Sequence, residues 1–183
     1  MAVDDRIRLF CALQLPEAVV AALAGWQAVH LQGAHITAGR LVPAEHLHIT
    51  LAFLGSRPRS ELPGIVRELA GAAAAGGPVR LRVQRYRETS SVGMLVFEDC
   101  SGGGSALARA LGAGLERIGS YRPERRPWLP HVTVTRFRRR PGLDPPLPVL
   151  GEVDAVRAAL YCSTLRPTGA RYDVLESVAL GGR

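Results

Sequence analysis

The chain of 183 residues contains no lysine and no asparagine, and all 23 of its basic residues are arginine. Alanine and glycine are abundant, so part of the arginine excess reflects the codon bias of a GC-rich genome. The net charge of +7 and the pI near 10.3 still favour a polyanionic partner such as RNA. From charge alone, a generic solvated basic surface is an equal alternative.

Cysteine is scarce, and long apolar runs are absent. Cys11, Cys100 and Cys162 are far apart in the chain and fit no metal-ligand spacing. No apolar run approaches the roughly 18 residues needed to cross a membrane, and the charged N-terminal stretch does not fit a signal peptide. These features predict a reduced, cytoplasmic protein that does not enter a membrane.

The periodicity of apolar residues predicts an α+β fold. Strands are expected at 6–15, 46–54, 79–87, 92–97, 131–138, 153–164 and 172–180, and helices at 16–32, 60–75 and 105–118. The third and fourth strands are expected to form a hairpin, and segment 33–45 is expected to be a loop. Because strands outnumber crossover helices, the order argues against a doubly wound parallel sheet.

Histidine is followed two residues later by threonine at His35, His48 and His131. The chain has 5 histidines, so a single match of this kind is weak evidence. Two of the matches lie in β-rich runs, HLHITLAFLG and LPHVTVTRF, whereas the first lies in a glycine-flanked loop. We therefore interpret His35 as a surface residue and the other two as candidates for function.

Strand geometry gives the two remaining pairs a chemical meaning. Side chains alternate between the faces of a strand, so His48 and Thr50 share one face, as do His131 and Thr133. Two imidazoles beside one cleft could protonate a leaving oxygen and activate water in the same reaction. The hydroxyls, together with Arg136, could bind phosphate oxygens. The pattern thus predicts phosphodiester chemistry.

Other interpretations of these residues are open. A metal site could draw on four histidines and one adjacent carboxylate, although no zinc-type spacing is present; these residues are His30, His35, His46, His48 and Glu45. The arginine-rich run at 136–140 could be a solvated face or an RNA-backbone contact. The glycine-rich segment at 101–105 fits no phosphate-binding loop and is interpreted as a linker.

The chain resembles the two-histidine phosphoesterase superfamily, specifically the RNA 2′,3′-cyclic phosphodiesterases of the LigT or ThpR type, also called 2′-5′ RNA ligases. The segments that carry the resemblance are RLFCALQLP, RLVPAEHLHITLAFLG, RPWLPHVTVTRF and ALYCSTLRPTGARYDVLESVAL. The resemblance implies a two-lobed fold, with antiparallel sheets around a central cleft and helices on the outside. It also implies that residues 1–183 form one domain of two pseudo-symmetric lobes.

By the same resemblance, His48 is the general acid and His131 the general base, while Thr50, Thr133 and Arg136 hold the phosphate. No metal and no cofactor is expected. The implied partner is RNA with a 2′,3′-cyclic phosphate end, such as a tRNA fragment, and the implied state is a monomer. The product is a 2′-phosphate end, and a reverse 2′-5′ ligation would exchange the roles of the two histidines.

One departure from the family pattern concerns the terminal base. Leu41 precedes Val42 where an aromatic residue is expected, so the residue that stacks on the base is not identified. Phe53, Trp128 and Phe137 are candidates, although core packing is the favoured role for each.

Two other functions compete with RNA-end hydrolysis. One is hydrolysis of a small cyclic nucleotide, such as ADP-ribose cyclic phosphate. The other is a non-catalytic RNA- or nucleotide-binding module. The two complete histidine–threonine pairs argue against the binding module, because a binding protein needs no paired acid and base.

We expect His48→Ala or His131→Ala to abolish phosphodiester hydrolysis without unfolding the protein, because each change removes one proton-transfer group. His35→Ala is the matched control and should leave activity unchanged. Initial rates on a 2′,3′-cyclic phosphate substrate, with circular dichroism as the folding check, test this. Full activity of either of the first two variants contradicts the assignment.

Overall fold

The computed structural model describes residues 5–32, 39–166 and 169–181. Within these residues, three α-helices form, Glu17–His30 (α1), Leu62–Ala75 (α2) and Gly103–Arg117 (α3), and two short 3-10 helices at Ala44–His46 and Arg59–Glu61. Nine strands form in the same residues: Arg6–Gln14 (β1), Gly39–Leu41 (β2), His48–Pro58 (β3), Val79–Glu88 (β4), Val92–Asp99 (β5), His131–Phe137 (β6), Glu152–Ala155 (β7), Arg157–Arg166 (β8) and Gly169–Ala179 (β9). None of the helices in this part of the chain has the length and apolarity needed to span a bilayer.

The strands form one antiparallel sheet in the order β7-β4-β5-β6-β3-β1-β8-β9, and β2 pairs with β6 beside this path. The α+β prediction is confirmed, as is the hairpin formed by β4 and β5. The two inner strands, β3 and β6, meet where Ile49 lies opposite Val132. This pairing joins the group β7-β4-β5-β6 to the group β3-β1-β8-β9.

The predicted strand at 153–164 is wrong, because the chain forms two strands there with different partners. β7 pairs with β4 at one edge of the sheet, while β8 lies between β1 and β9 in the other group. The single residue Val156, which is 60% exposed, connects them. Two strands joined by one residue cannot lie far apart, so the sheet must curl. The apolar positions change phase here, from Val153 and Ala155 to Ala158 and Leu160, so the sequence carries a mark of the break that the prediction of one strand did not use.

The predicted loop at 33–45 is also wrong in part, because Gly39–Leu41 pairs with Thr135–Phe137 of β6 as strand β2. Side chains hold this short strand in place. The buried Gln27 of α1 donates through Nε2 to the carbonyl oxygens of Val42 and Val134, at 3.0 and 2.6 Å. Thr135 donates through Oγ1 to the carbonyl oxygen of Arg40 at 3.2 Å.

The hydrophobic core lies on the face of the sheet that α2 and α3 cover. Ile49 and Val132 are fully buried there, next in sequence to the histidines of the two motifs. Helix residues such as Leu69 and Leu111 fill the space against them, and each fully buried side chain of this size contributes about 1.5–3 kcal/mol. The core thus holds β3 and β6 from behind and leaves their opposite face open.

Candidate active site

The two histidine–threonine pairs lie on one face of adjacent strands. Because Ile49 is opposite Val132 in antiparallel register, His48 lies beside Thr133 and Thr50 lies beside His131. Cβ atoms of such direct neighbours are about 5 Å apart, and those of the diagonal pair of histidines about 7–8 Å. All four side chains line one cleft with a volume of about 650 Å³. The predicted juxtaposition of two imidazoles and two hydroxyls is present.

Both imidazole rings are held in the same way. The Nδ1 atom of His48 lies 2.7 Å from the carbonyl oxygen of His46, and that of His131 lies 2.9 Å from the carbonyl oxygen of Leu129. A carbonyl oxygen only accepts, so Nδ1 carries the proton in each ring. Nε2 is then the nitrogen that can exchange a proton with a ligand in the cleft.

Aromatic rings surround the first of these histidines. The ring centroid of His48 lies 4.9 Å from that of Phe10, 5.8 Å from Tyr161 and 5.6 Å from Tyr172. Burial in this cluster lowers the pKa of His48 to about 4, and electrostatic repulsion from His46, His131 and Arg136 acts in the same direction. His48 is therefore neutral at physiological pH when the cleft holds no anion.

No local sequence pattern marks this aromatic cluster. Phe10 is on β1, Tyr161 on β8 and Tyr172 on β9, and register places Phe10 directly opposite Tyr161. Aromatic residues in strands with alternating apolar positions usually belong to the hydrophobic core. No sequence pattern therefore distinguishes Phe10, Tyr161 and Tyr172 from the other apolar residues of their strands. The order of the strands in the sheet was needed to bring them to His48.

Positive charge dominates the cleft. Four arginines line it, together with three histidines, and no aspartate or glutamate appears among the described residues that form its walls; the arginines are Arg8, Arg40, Arg136 and Arg166. Carboxylates elsewhere neutralise other arginines, as where Glu152 contacts Arg80 and Arg82. A concave surface with charge of one sign concentrates anions, so the cleft is suited to a phosphate-bearing ligand.

The three aromatic candidates for base stacking have different environments. Phe137 is 6% exposed and belongs to the core, as expected. Trp128 packs against the core and donates through Nε1 to the carbonyl oxygen of Thr50 at 2.8 Å, so it supports β3 from behind. Gly104 permits this position, since a Cβ there would lie 2.7 Å from the indole ring.

Phe53 is the exception, because the core role favoured for it is wrong. Its side chain is 48% exposed and lines the cleft, with the guanidinium carbon of Arg8 4.8 Å from the ring centroid. Ala12 pairs with Thr50 while Cys11 pairs with Ala52, so Leu51 is an extra residue in β3. This β-bulge shifts the alternation by one and turns Phe53 onto the histidine face. Leu41, at the position where an aromatic residue was expected, also lines the cleft.

The remaining candidates are placed as follows. Arg136 is exposed and forms part of the cleft wall. Arg138, Arg139 and Arg140 are also exposed but do not line the cleft. His35 and Thr37 lie outside the described residues. Among the residues that are described, no group of three or more His, Cys, Asp or Glu side chains is arranged to hold a metal ion.

Comparison with known proteins agrees with this geometry. Residues 13–91, which include the first motif, match the family model of the LigT-like phosphoesterases. An RNA 2′,3′-cyclic phosphodiesterase of Thermus thermophilus is 34% identical over 184 residues, which cover 96% of this chain and 91% of that protein. The chain belongs to the LigT-like phosphoesterase family. An RNA 2′,3′-cyclic phosphodiesterase of Escherichia coli is 30% identical over 179 residues, 94% of this chain and 96% of that one.

Similarity to solved structures extends the match to the whole fold. The protein TT0787 of Thermus thermophilus superposes with a TM-score of 0.82 at 33% identity, covering 97% of this chain and 100% of that one. E. coli LigT in complex with 3′-AMP superposes with a TM-score of 0.81 at 25% identity, covering 97% and 99%. The second motif, which lies beyond residues 13–91, is thus included in the similarity.

We expect His48 to make the stability of the protein depend on pH. Its folded-state pKa of about 4 is below the ordinary value of 6.5, so the unfolded chain binds the extra proton first and stability falls as pH drops from about 6.5 to 4. Between about pH 7.5 and pH 4.5 this one group should remove about 2.5 kcal/mol of unfolding free energy.

Urea unfolding of the wild type and of His48→Gln at both pH values measures this effect. Carboxylates titrate equally in the two proteins, so the difference isolates the imidazole. Between pH 7.5 and pH 4.5, the free energy of unfolding should fall by about 2.5 kcal/mol less in His48→Gln than in the wild type. Equal losses in the two proteins contradict the assignment of a buried, neutral His48.

Proposed function

We propose that this protein hydrolyses the 2′,3′-cyclic phosphate ends of RNA to 2′-phosphate ends without a metal ion. The observation that carries the proposal is the pair of imidazoles on adjacent strands, each beside a threonine. Both imidazoles line a cleft whose walls contain arginines, and no aspartate or glutamate is among the described residues of those walls. The names of the similar proteins in T. thermophilus and E. coli support the same reaction.

In the proposed reaction, His131 accepts a proton from water through Nε2, and the water oxygen bonds to phosphorus. The bond from phosphorus to the 3′ oxygen breaks, and His48 donates a proton to that oxygen through Nε2. Thr50, Thr133 and Arg136 bind the non-bridging oxygens, where charge-assisted hydrogen bonds hold the phosphate in line for displacement. The same steps with a 5′-hydroxyl RNA end in place of water form a 2′-5′ linkage, and the reverse of that ligation, attack by the 3′ oxygen, exchanges the roles of the two histidines.

The acid role of His48 requires that substrate binding restore its proton. Burial disfavours the imidazolium in the free protein, but the negative charge of a bound cyclic phosphate favours it. Substrate and proton would then bind together, and the protonated ring would exist mainly when a leaving group is present. His131 makes none of the ring contacts described above for His48.

A small cyclic nucleotide is the second candidate substrate. Structures of E. coli LigT with ATP and with NADP+ superpose on this chain at 27% identity, with TM-scores of 0.78 in both cases. Small nucleotides therefore bind to a protein of this family, and a cleft of about 650 Å³ could hold one nucleotide. The basic walls favour a longer polyanion as the substrate of this chain.

We further propose that residues 1–183 act as one catalytic domain with two lobes, each providing one motif strand, and that the protein works as a cytoplasmic monomer. The division of the sheet at the pairing of β3 with β6 supports the two lobes. Both imidazoles come from the same chain, so no second copy is needed to complete the histidine pair.

An oligonucleotide that ends in 2′,3′-cyclic phosphate tests the reaction. We expect conversion to a 2′-phosphate end, undiminished in EDTA, with a bell-shaped dependence of rate on pH. Comparison with a cyclic mononucleotide separates the two substrate classes. A 3′-phosphate product would refute the proposed direction of ring opening, and binding without turnover would favour the non-catalytic module.

We expect Phe53→Ala to raise KM for a nucleoside 2′,3′-cyclic phosphate about tenfold, because stacking of a base on an aromatic ring contributes about 1–3 kcal/mol. Phe53→Tyr keeps the ring and is the matched control. Ribose 2′,3′-cyclic phosphate, which has no base, should show similar KM values for all three proteins. If Phe53→Ala binds the nucleotide as well as the wild type, the base lies elsewhere in the cleft.

A further inference from the structure

Four exposed arginines lie on one face of β4: Arg80, Arg82, Arg85 and Arg87. In a regular strand the last two would point away from the face of the first two, because side chains alternate. Gln84, however, is an extra residue, since the register of β4 with β5 shifts between Val83 and Arg85. This β-bulge returns Arg85 and Arg87 to the face of the earlier arginines. Tyr86, which lies between them, packs against the hydrophobic core on the other face.

Strand β7 neutralises the arginines before the bulge. Asp154 lies 3.1 Å from Arg80, and Glu152 lies 2.7 Å from Arg82. β7 begins at Glu152, which pairs with Arg82 in the sheet. This strand therefore does not reach the arginines beyond the bulge.

The arginines beyond the bulge keep an unneutralised charge. Within the described residues, neither Arg85 nor Arg87 forms an ion pair, and Nη1 of Arg85 donates to the amide oxygen of the preceding residue at 3.3 Å. The nearby carboxylates are engaged elsewhere. Glu98 of β5 lies opposite Arg82, and the side chain of Glu88 is 2% exposed and bound to another arginine.

The face of β4 that carries this charge continues the face of the second motif. Val96 of β5 pairs with Arg85 on one side and with His131 on the other. In the next row, Met94 pairs with Arg87 and with the threonine of that motif. Directly paired residues point to the same side of a sheet. Each row thus runs from a motif residue on β6 to an arginine on β4, and the two backbones are about 10 Å apart.

The other side of the histidine pair has a different role in the proposed reaction. Phe53, at which we expect the terminal base to stack, is on β3, whereas β5 and β4 lie beyond β6 in the opposite direction. A nucleotide with its base on Phe53 and its cyclic phosphate between the imidazoles leaves β5 and β4 for the rest of an RNA strand.

We propose that Arg85 and Arg87 bind the backbone of the RNA upstream of the terminal nucleotide, which crosses β6 and β5 to reach β4. This inference rests on the proposed function and names single-stranded RNA longer than one nucleotide as the preferred substrate. Guanidinium groups bind phosphate oxygens through charge-assisted hydrogen bonds, and such contacts release counterions. Pairing of the earlier arginines with β7 limits the RNA contact to the part of β4 beside the second motif.

Two ligands with the product end test this surface without requiring turnover. Adenosine 2′-monophosphate fills the histidine site alone, whereas an oligoadenylate of six nucleotides with a 2′-phosphate end also reaches β4. By calorimetry at low salt, the wild type should bind the oligoadenylate more than about tenfold more tightly. Arg85→Gln/Arg87→Gln should lower this ratio about tenfold.

The salt dependence of binding gives a second measurement on the same variant. Each phosphate of a single strand that a protein neutralises contributes about 0.7 to the slope of log K against log salt concentration. Arg85→Gln/Arg87→Gln should therefore lower the slope for the oligoadenylate by about 1.4.

Arg67→Gln/Arg109→Gln is the matched control. It removes the same two charges from exposed arginines of α2 and α3, the helices that cover the opposite face of the sheet. It should keep both the affinity ratio and the slope. Each ratio compares two ligands on one protein, so a general loss of stability does not imitate the effect. A wild-type ratio near one, a ratio that Arg85→Gln/Arg87→Gln leaves intact, or an equal change in the control overturns the RNA surface on β4.

Turnover of the matching cyclic substrates separates this inference from the proposed function. Adenosine 2′,3′-cyclic phosphate and the oligoadenylate with a 2′,3′-cyclic phosphate end should differ in kcat/KM in the same direction as in binding. If the wild type opens neither substrate, the proposed reaction fails, and the binding ratio still decides the surface. If it opens both at equal kcat/KM and the binding ratio is also near one, the reaction is retained and the surface is refuted.

Discussion

The active site depends on the pairing of β3 with β6. The nine strands of the described residues otherwise form two groups, β7-β4-β5-β6 with β2 beside it and β3-β1-β8-β9, and the fully buried pair Ile49 and Val132 joins them. The side chains on either side of this pair point to the opposite face, which places each histidine beside the threonine of the other motif. A shift of either strand by one residue would turn its own imidazole into the core. The helices that cover the buried face thereby stabilise the arrangement of the catalytic face.

The two imidazoles are equivalent in their hydrogen bonds and different in their surroundings. Each donates from Nδ1 to a carbonyl oxygen two residues earlier in the chain. One ring, His48, is stacked in an aromatic cluster, which lowers its proton affinity. Such a difference between two otherwise similar groups suits a reaction in which one must donate a proton while the other accepts one. The cluster is built from β1, β8 and β9, so one group of strands determines the difference.

Charge in the molecule is sorted by location. Carboxylates pair with arginines on strands β4 and β7 and at Glu88, whereas no described aspartate or glutamate lines the cleft. Positive charges placed close together lower the stability of the free protein, and a bound anion reverses this effect. The arrangement therefore favours binding of an anionic ligand over stability in the ligand-free state.

The sequence alone determined the α+β class, the hairpin of β4 and β5, and the common face of each histidine–threonine pair, because these follow from local periodicity. It also pointed to His48, His131 and Arg136 as one chemical group, and the structure brings them to one cleft. Only the tertiary structure decided what depends on pairing between distant strands. At Val156 the chain changes partner, from pairing of β7 with β4 to pairing of β8 with β1. The bulge at Leu51 exposed Phe53, and the pairing of β2 with β6 set Arg40 against Arg136. Periodicity shows which face of a strand is buried, but the identity and register of the neighbouring strand come from long-range contacts, which no local pattern encodes.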